Sequence, residues 1–158
     1  MAQYTNHTQR TYAPDARGPQ TLTTVGYTYT IARDGNVSGT KVHVGRLPAG
    51  AIPNPTSCRW HIDEAFNGTT PGLAVYLVPV STETIDTTAI MTTSIPTEGT
   101  TGIYRGTDAE FKSAGHHDYL TEDHEVIVEF TAGAADATTG KGRLVLVFDH
   151  DHYTGVVV

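Results

Sequence analysis

The chain has 158 residues, of which 17% are charged, and its formal net charge is −7. One domain of this size can bury a core without staples, and a single cysteine excludes an intramolecular disulfide or a thiolate metal cluster. The ten basic residues are scattered along an acidic chain, so the sequence predicts no phosphate-binding stripe and no nucleic-acid partner.

The first segment, residues 1–21, has no hydrophobic period, and its large apolar groups are Tyr4 and Tyr12. Such a segment is either a disordered tail or an arm that becomes ordered on a neighbouring subunit, with the tyrosines as anchors. The chain therefore divides into an N-terminal arm at 1–21 and a folded domain at 22–158.

Strand patterns begin directly after the arm. Apolar and small polar residues alternate over 25–31, which is the period of a β-strand. Residues 33–36 contain Asp-Gly, a tight-turn dipeptide, and alternation returns over 41–45. The sequence therefore predicts a hairpin of two strands joined by this turn.

The middle of the chain is less regular. Strands are predicted at 58–62, where Cys58, Trp60 and Ile62 share one face, and at 73–78. One or two helical turns are predicted at 84–91, and 92–110 reads as a long loop of Thr, Gly and Pro.

The last third of the chain has the strongest alternation. Residues 126–130 and 144–148 alternate and predict a second hairpin, while 143–149 is apolar on both faces and should be central and covered on both sides. Residues 155–158 are expected to add an edge strand or to pack on a neighbour. Seven or eight short strands with almost no helix predict an all-β fold, a two-sheet antiparallel sandwich. Either a jelly roll or an immunoglobulin-like fold fits, although the single cysteine disfavours immunoglobulin variable domains.

The histidines are the residues in this sequence that come nearest to a metal-binding or catalytic motif. His150 and His152 lie at i and i+2, on one face of a strand, as in cupin metal sites. Only six residues follow His152, so the remainder of a cupin motif has no room. The histidines at 116, 117 and 124 match no metal-ligand spacing, and we predict neither a metal nor another cofactor.

Catalytic motifs are absent from the sequence. There is no nucleophile elbow, phosphate loop or His-Glu-x-x-His. The candidates for a glycosidase-like carboxylate pair lie near predicted strand ends, where charges are usually solvated: Asp63, Glu64, Glu122, Asp123 and Glu125. The protein is therefore predicted not to be an enzyme.

Aromatic residues give two further predictions. Tyr27, Tyr29 and Trp60 lie on strands and belong either to the core or to a sugar-stacking platform. Tyrosines in predicted loops or tails are candidate interface anchors: Tyr4, Tyr12, Tyr104, Tyr119 and Tyr153.

Four stretches resemble the strand-and-turn phrasing of small virion proteins from tailed bacteriophages and prophages. They are Val-Gly-Arg-Leu-Pro-Ala-Gly-Ala at 44–51, Ala-Phe-Asn-Gly-Thr-Thr-Pro at 65–71, Leu-Thr-Glu-Asp-His-Glu-Val at 120–126 and Gly-Arg-Leu-Val-Leu-Val at 142–147. The resemblance covers roughly 40–150, implies a jelly-roll-like sandwich that assembles as an oligomer, often a trimer, and offers no catalytic residue.

The resemblance implies a capsid decoration or cement protein whose partners are the major capsid protein and further copies of itself in a homotrimer. We expect it on the outer surface of the virion, after synthesis in the cytoplasm of the bacterial host. The sequence has no membrane-length apolar run and no signal peptide, so no membrane contact is expected. Two alternatives stay open: a carbohydrate-binding or adhesin module of a head or tail fibre, and a minor tail or neck component.

Overall fold

The computed structural model describes five stretches of the chain: 20–83, 88–94, 101–116, 118–133 and 137–151. At 20–22, 93–94 and 150–151 the backbone alone is described. In chain order, the elements of these stretches are β1 (Gln20–Thr30), α1 (Ile31–Asp34), β2 (Thr40–Leu47), β3 (Ala51–Pro53), a 3-10 turn (Pro55–Ser57), β4 (Arg59–Glu64), β5 (Gly72–Pro79), β6 (Met91–Ser94), β7 (Gly102–Arg105), α2 (Asp108–Ser113), β8 (His124–Thr131) and β9 (Lys141–Asp151).

The strands form two antiparallel sheets. Sheet A has the order β1-β9-β4-β7, and β3 pairs with the far end of β9, so that β3 and β4 act as one strand interrupted by the 3-10 turn. Sheet B has the order β2-β8-β5-β6. The pairs β1 with β9, β2 with β8, β4 with β7 and β5 with β6 are nested like one long hairpin rolled over itself. This nesting is the topology of a jelly roll, and the predicted sandwich is confirmed.

Both predicted hairpins are wrong. β1 pairs with β9 in sheet A and β2 pairs with β8 in sheet B, so the predicted turn carries the chain from one sheet to the other. β8 and β9 likewise lie in different sheets and face each other across the core. Period-two alternation identifies a strand but contains no information about which strand lies beside it.

The segment predicted as a long loop contains regular structure. β6, β7 and the start of α2 lie between positions 91 and 110, which places Tyr104 on a strand rather than in a loop. The predicted helical turns at 84–91 fall partly outside the described residues, and Met91 begins β6. The two strands are four residues each, too short for alternation to stand out.

The ends of the chain fall largely outside the described residues. β1 begins at Gln20, so the last two residues of the predicted arm belong to sheet A. Residues 1–19, and the segment 155–158 predicted as an edge strand, lie outside the described stretches.

Alternation on several strands builds the core between the sheets. On β8, Val126, Val128 and Phe130 are fully buried, and the residues between them are partly exposed. β9 is central in sheet A, as predicted, but only its inward face is fully buried; Val145 and Val147 on the other face are partly exposed. The prediction that β9 is covered on both sides is therefore wrong.

Aromatic rings join the two sheets at one end of the core. Tyr29 of β1 stacks on Phe130 of β8, with ring centroids 5.9 Å apart, and Phe66 lies 6.1 Å from Phe130 and 6.4 Å from Tyr29. The Tyr29 hydroxyl donates to the carbonyl of Gly35 at 2.7 Å, which satisfies its polar atom. Because the three rings come from both sheets and a connecting segment, they fix the sheets against each other.

The helix α2 closes the other end of the core. Thr107 caps it by accepting a hydrogen bond from the backbone N–H of Glu110 at 3.2 Å. Its Phe111 is fully buried and packs 6.2 Å from Phe148 of β9, measured between ring centroids.

Candidate interaction surfaces

The predicted tyrosine anchors have different fates. Tyr119 is 50% exposed in the connection between α2 and β8. Tyr104 is partly buried on β7 and packs against the core, since strand alternation turns it inward opposite Trp60. Tyr4, Tyr12 and Tyr153 lie outside the described residues. Of the two candidate tyrosines that the structure describes, Tyr104 and Tyr119, it is therefore Tyr119 that is exposed.

The possible sugar platform on the strands is not present. Tyr29 and Trp60 are fully buried in the core. Tyr27 is partly buried, its hydroxyl donates to Asp34 Oδ1 at 2.6 Å, and the guanidinium of Arg33 lies 5.1 Å from the centre of its ring. Because these rings have their faces occupied, they offer no stacking surface to a sugar, and the adhesin alternative loses its supporting residues.

The histidines do not converge on a metal site in the part of the chain that the structure describes. There, no three His, Cys, Asp or Glu side chains lie together as ligands. His116 and His124 meet edge to face with ring centroids 5.2 Å apart, and His124 Nδ1 lies 2.8 Å from the carbonyl oxygen of Glu122. The side chain of His150 and all of His117 and His152 are outside the description, so the predicted absence of a metal there stays a prediction.

The carboxylates suspected of acid–base chemistry are engaged in structural contacts. Asp63 receives two hydrogen bonds from Arg143, at 2.6 and 2.9 Å, and Glu122 receives two from Ser81, both at 2.9 Å. Hydrogen bonding from Arg143 lowers the pKa of Asp63, and hydrogen bonding from Ser81 lowers that of Glu122. Both groups are thus held ionised, unlike a general acid, whose pKa must be raised.

The outer face of sheet B has its charges paired across strands. Lys41 donates to Glu129 at 2.9 Å, and Arg46 donates through Nε to Glu125 at 2.7 Å. His43 also contacts Glu125. This face therefore carries little uncompensated charge.

The outer face of sheet A differs because cations gather on it. Strand pairing sets Arg59 directly opposite Arg105, and His61 opposite both Ile103 and Arg143. Like charges placed opposite each other on a sheet repel. We call the surface formed by these five residues the cationic face.

The environment of His61 reflects this concentration of charge. Its Nε2 accepts a hydrogen bond from Arg59 Nε at 2.8 Å. Burial, followed by the charges of Arg143 and Arg59, lowers the pKa of His61 because each disfavours the imidazolium. At neutral pH the histidine is therefore an uncharged acceptor between arginines.

Sequence reasoning missed the cationic face. The alternation that places Cys58, Trp60 and Ile62 on one face of the strand predicts Arg59, His61 and Asp63 on the other, which the structure confirms. Arg105 and Arg143 join them only through the pairing of β4 with β7 and β9, and no local pattern shows that pairing. These basic residues are far apart in the sequence, but strand pairing brings them together on this face.

An acidic surface lies at a different place on the molecule. The segment 118–123, which we call the acidic segment, contains Asp118, Glu122 and Asp123 together with the exposed side chain of Tyr119. Backbone hydrogen bonds tie it to the start of β3, from Gly50 N to Leu120 O at 2.7 Å and from Leu120 N to Ala51 O at 2.8 Å. It therefore lies at the end of sheet A where β3 meets β9.

The single cysteine is enclosed beneath sheet A. Cys58 is fully buried, and its Sγ accepts a hydrogen bond from the backbone N–H of Val147 at 3.3 Å. Burial raises the pKa of this thiol to about 12. A buried, protonated thiol is a poor nucleophile.

We expect Cys58 of the native protein to resist thiol reagents. Incubation with a chromogenic disulfide at neutral pH should release almost no colour, while the same protein in denaturant should react with one equivalent. Reaction of the native protein at the rate of a free thiol would show that the segment around Cys58 opens readily.

Comparison with known proteins finds solved structures with a similar fold. No protein-family model matches the sequence, and no curated protein matches it. The structure is similar to one titled the capsid of Ralstonia phage GP4, with a TM-score of 0.59 and 21% identity over 90% of this chain and 91% of that chain.

It is also similar to a structure of infectious bursal disease virus, Gt strain, with a TM-score of 0.50 and 12% identity. That match covers 87% of this chain but 34% of the other, so this protein spans about a third of it. At these identities, the likenesses show a shared fold.

Proposed function

We propose that this protein is a virion structural protein of a tailed bacteriophage, and specifically a capsid decoration or cement protein. It binds the major capsid protein at capsomer junctions on the outer surface of the head, where it stabilises the shell as a homo-oligomer, most simply a trimer. The observation that carries the proposal is the end-to-end match of this jelly roll, at 91% of the other chain, to a chain in a phage capsid structure.

The surface of the protein supports this role. The carboxylates discussed above are held in structural ion pairs and hydrogen bonds, and the aromatic rings of the sheets discussed above are buried or partly buried. A net charge of −7 favours the outside of a head, because packed DNA would repel an acidic protein. Many weak contacts on a lattice then add to a stable attachment.

Binding to capsids tests the proposal. Purified full-length protein should bind saturably to heads of the encoding phage from which it has been removed, and electron cryo-microscopy should show it on the outer surface. Absence of binding to heads at micromolar protein, under conditions where the protein is folded, would overturn the proposed function.

The N-terminal arm can be tested on its own. A truncation that removes residues 1–18 retains every strand that the structure describes, because β1 begins at Gln20. We expect it to unfold at the same temperature as the full chain but to bind heads at least tenfold more weakly, since the tyrosine anchors are gone. The matched control is the full-length double variant Tyr4→Ala, Tyr12→Ala, which should show most of the same loss. Unchanged binding by the truncated protein would remove the arm from the attachment.

A further inference from the structure

We propose that the cationic face of one copy is a docking surface for the acidic segment of a second copy, so that the protein assembles head to tail. The proposal rests on the self-association in the proposed function but not on capsid binding. Under this proposal, each of the two surfaces binds the other surface on a neighbouring copy of the same protein.

Each surface combines an exposed apolar side chain with an excess of one sign of charge. On the cationic face Asp63 neutralises Arg143, which leaves the charges of Arg59 and Arg105. Ile103 is 53% exposed among the arginines of the cationic face, and Tyr119 is 50% exposed among the carboxylates of the acidic segment. In the described stretches only one other large apolar side chain, that of Val37, is exposed to a similar degree. An apolar centre surrounded by complementary charge is the usual anatomy of a specific interface.

The cationic face has charge that the protomer itself does not neutralise. Across the described stretches, neither Arg59 nor Arg105 is paired with a carboxylate, although the cations of sheet B are. Strand pairing sets these two residues opposite each other, and like charges at such positions disfavour the isolated protomer. Negative charge brought to this face relieves the repulsion, so the structure favours an acidic partner there.

One copy cannot bring its own two surfaces together. Arg59 lies opposite Val145 of β9, whereas the acidic segment is bound to Ala51, which lies opposite position 150. Five residues of a strand separate these points by about 17 Å. The contact must therefore form between molecules, and because the two surfaces differ, it generates a ring if it closes.

A second copy fits the cationic face because the chain carries the matching charge. Its net charge is −7. Among contacts between described residues, the carboxylates of the acidic segment accept hydrogen bonds from neutral groups, and Asp123 also lies 4.0 Å from Arg46. Closing the ring would place the two exposed apolar side chains out of water in every interface.

The test is the oligomeric state of the purified full-length protein, measured by sedimentation velocity over a range of concentration. The natural protein should form a closed oligomer whose dissociation constant rises with added NaCl. Arg105→Glu, Ile103→Thr and Asp118→Lys should each weaken association about tenfold or more. Val37→Thr is the matched control, because it makes the same apolar-to-polar change at an equally exposed site, and it should have no effect.

A charge swap makes the test directional. Arg105→Glu combined with Asp118→Lys in one chain should recover much of the lost association, because attraction is restored across every interface. Thermal unfolding of each variant confirms that it is folded. At concentrations where both proteins are monomeric, Arg105→Glu should not lower the melting temperature, since it removes a repulsion.

Three outcomes would overturn the inference. They are a natural protein that stays monomeric at every concentration, oligomers that are insensitive to Arg105→Glu and Ile103→Thr, and a monomeric Arg105→Glu, Asp118→Lys double variant. If Arg105→Glu instead abolished binding to heads or to DNA while the oligomer persisted, the cationic face would have a different partner. Capsid binding by a monomeric protein would leave the proposed function standing without this inference.

Discussion

Gly140→Ala is expected to lower the melting temperature by about 10 °C, because the position tolerates no side chain. A Cβ atom there would lie 2.4 Å from the ring of Phe66, and the residue has a φ of 147°, in the region that favours glycine. The ring cannot move aside, since it packs against Tyr29 and Phe130. Backbone strain and overpacking together cost about 3 to 5 kcal/mol, at about 2 to 4 °C per kcal/mol for a domain of this size.

Gly39→Ala separates the two contributions. Gly39 also has a positive φ, of 92°, but no atom lies within 4 Å of its added Cβ. Its cost should be only about 1 to 2 kcal/mol, from the backbone alone. Adding Phe66→Leu to the Gly140→Ala protein should recover part of the lost stability. A double-mutant cycle measures this recovery as a coupling free energy between the two positions. Equal losses for the two glycine variants would show that the Phe66 ring relaxes freely.

Phe130→Ala should cost about 3 to 5 kcal/mol of unfolding free energy. The ring is fully buried and contacts both Tyr29 of the opposite sheet and Phe66, so its removal leaves a cavity at the junction of the two layers. In the described part of the chain the strands pair within each sheet, and packing in the core joins the two sheets. The midpoint of urea unfolding, followed by far-UV circular dichroism, measures the loss.

Ile127→Ala provides the control on the same strand. Ile127 lies three residues away on the opposite, partly exposed face of β8, so its truncation should cost no more than about 1 kcal/mol. If the two variants unfolded at similar urea concentrations, the aromatic contact between the layers would not be the dominant element of the core.

Local patterns predicted the strands of the fold but not their partners. Burial on β4 and β8 follows the predicted alternation because side chains on a strand point to opposite faces whatever its neighbours are. On β5 both faces contain buried residues, among them Ala74 and Val78 on the face predicted to be the outer one. Strand pairing is a property of the whole chain: Gln20 lies opposite Asp151, and nothing near either residue encodes the other. The Asp-Gly turn at 33–36 does not distinguish a hairpin from a connection between sheets, because it reverses the chain equally well in both.

The candidate site follows the same rule. Arg59 and His61 could be placed on one exposed face from the spacing of β4 alone. Arg105 was predicted within a loop, and Arg143 on a strand whose neighbours were misassigned, so their approach to Arg59 could not be foreseen. Surface chemistry that depends on several strands requires the topology first.

The nesting of the strands has a practical consequence for the two chain ends. Because β1 and β9 pair along their whole length, the backbone enters the sandwich at Gln20 and leaves it at Asp151 on neighbouring strands. A fluorophore or peptide tag fused through either terminus is therefore tethered at the same corner of the molecule. Energy transfer between labels at the two ends would report on that corner alone, whereas a label inserted at the opposite end, in the loop around Val37, would mark the other pole.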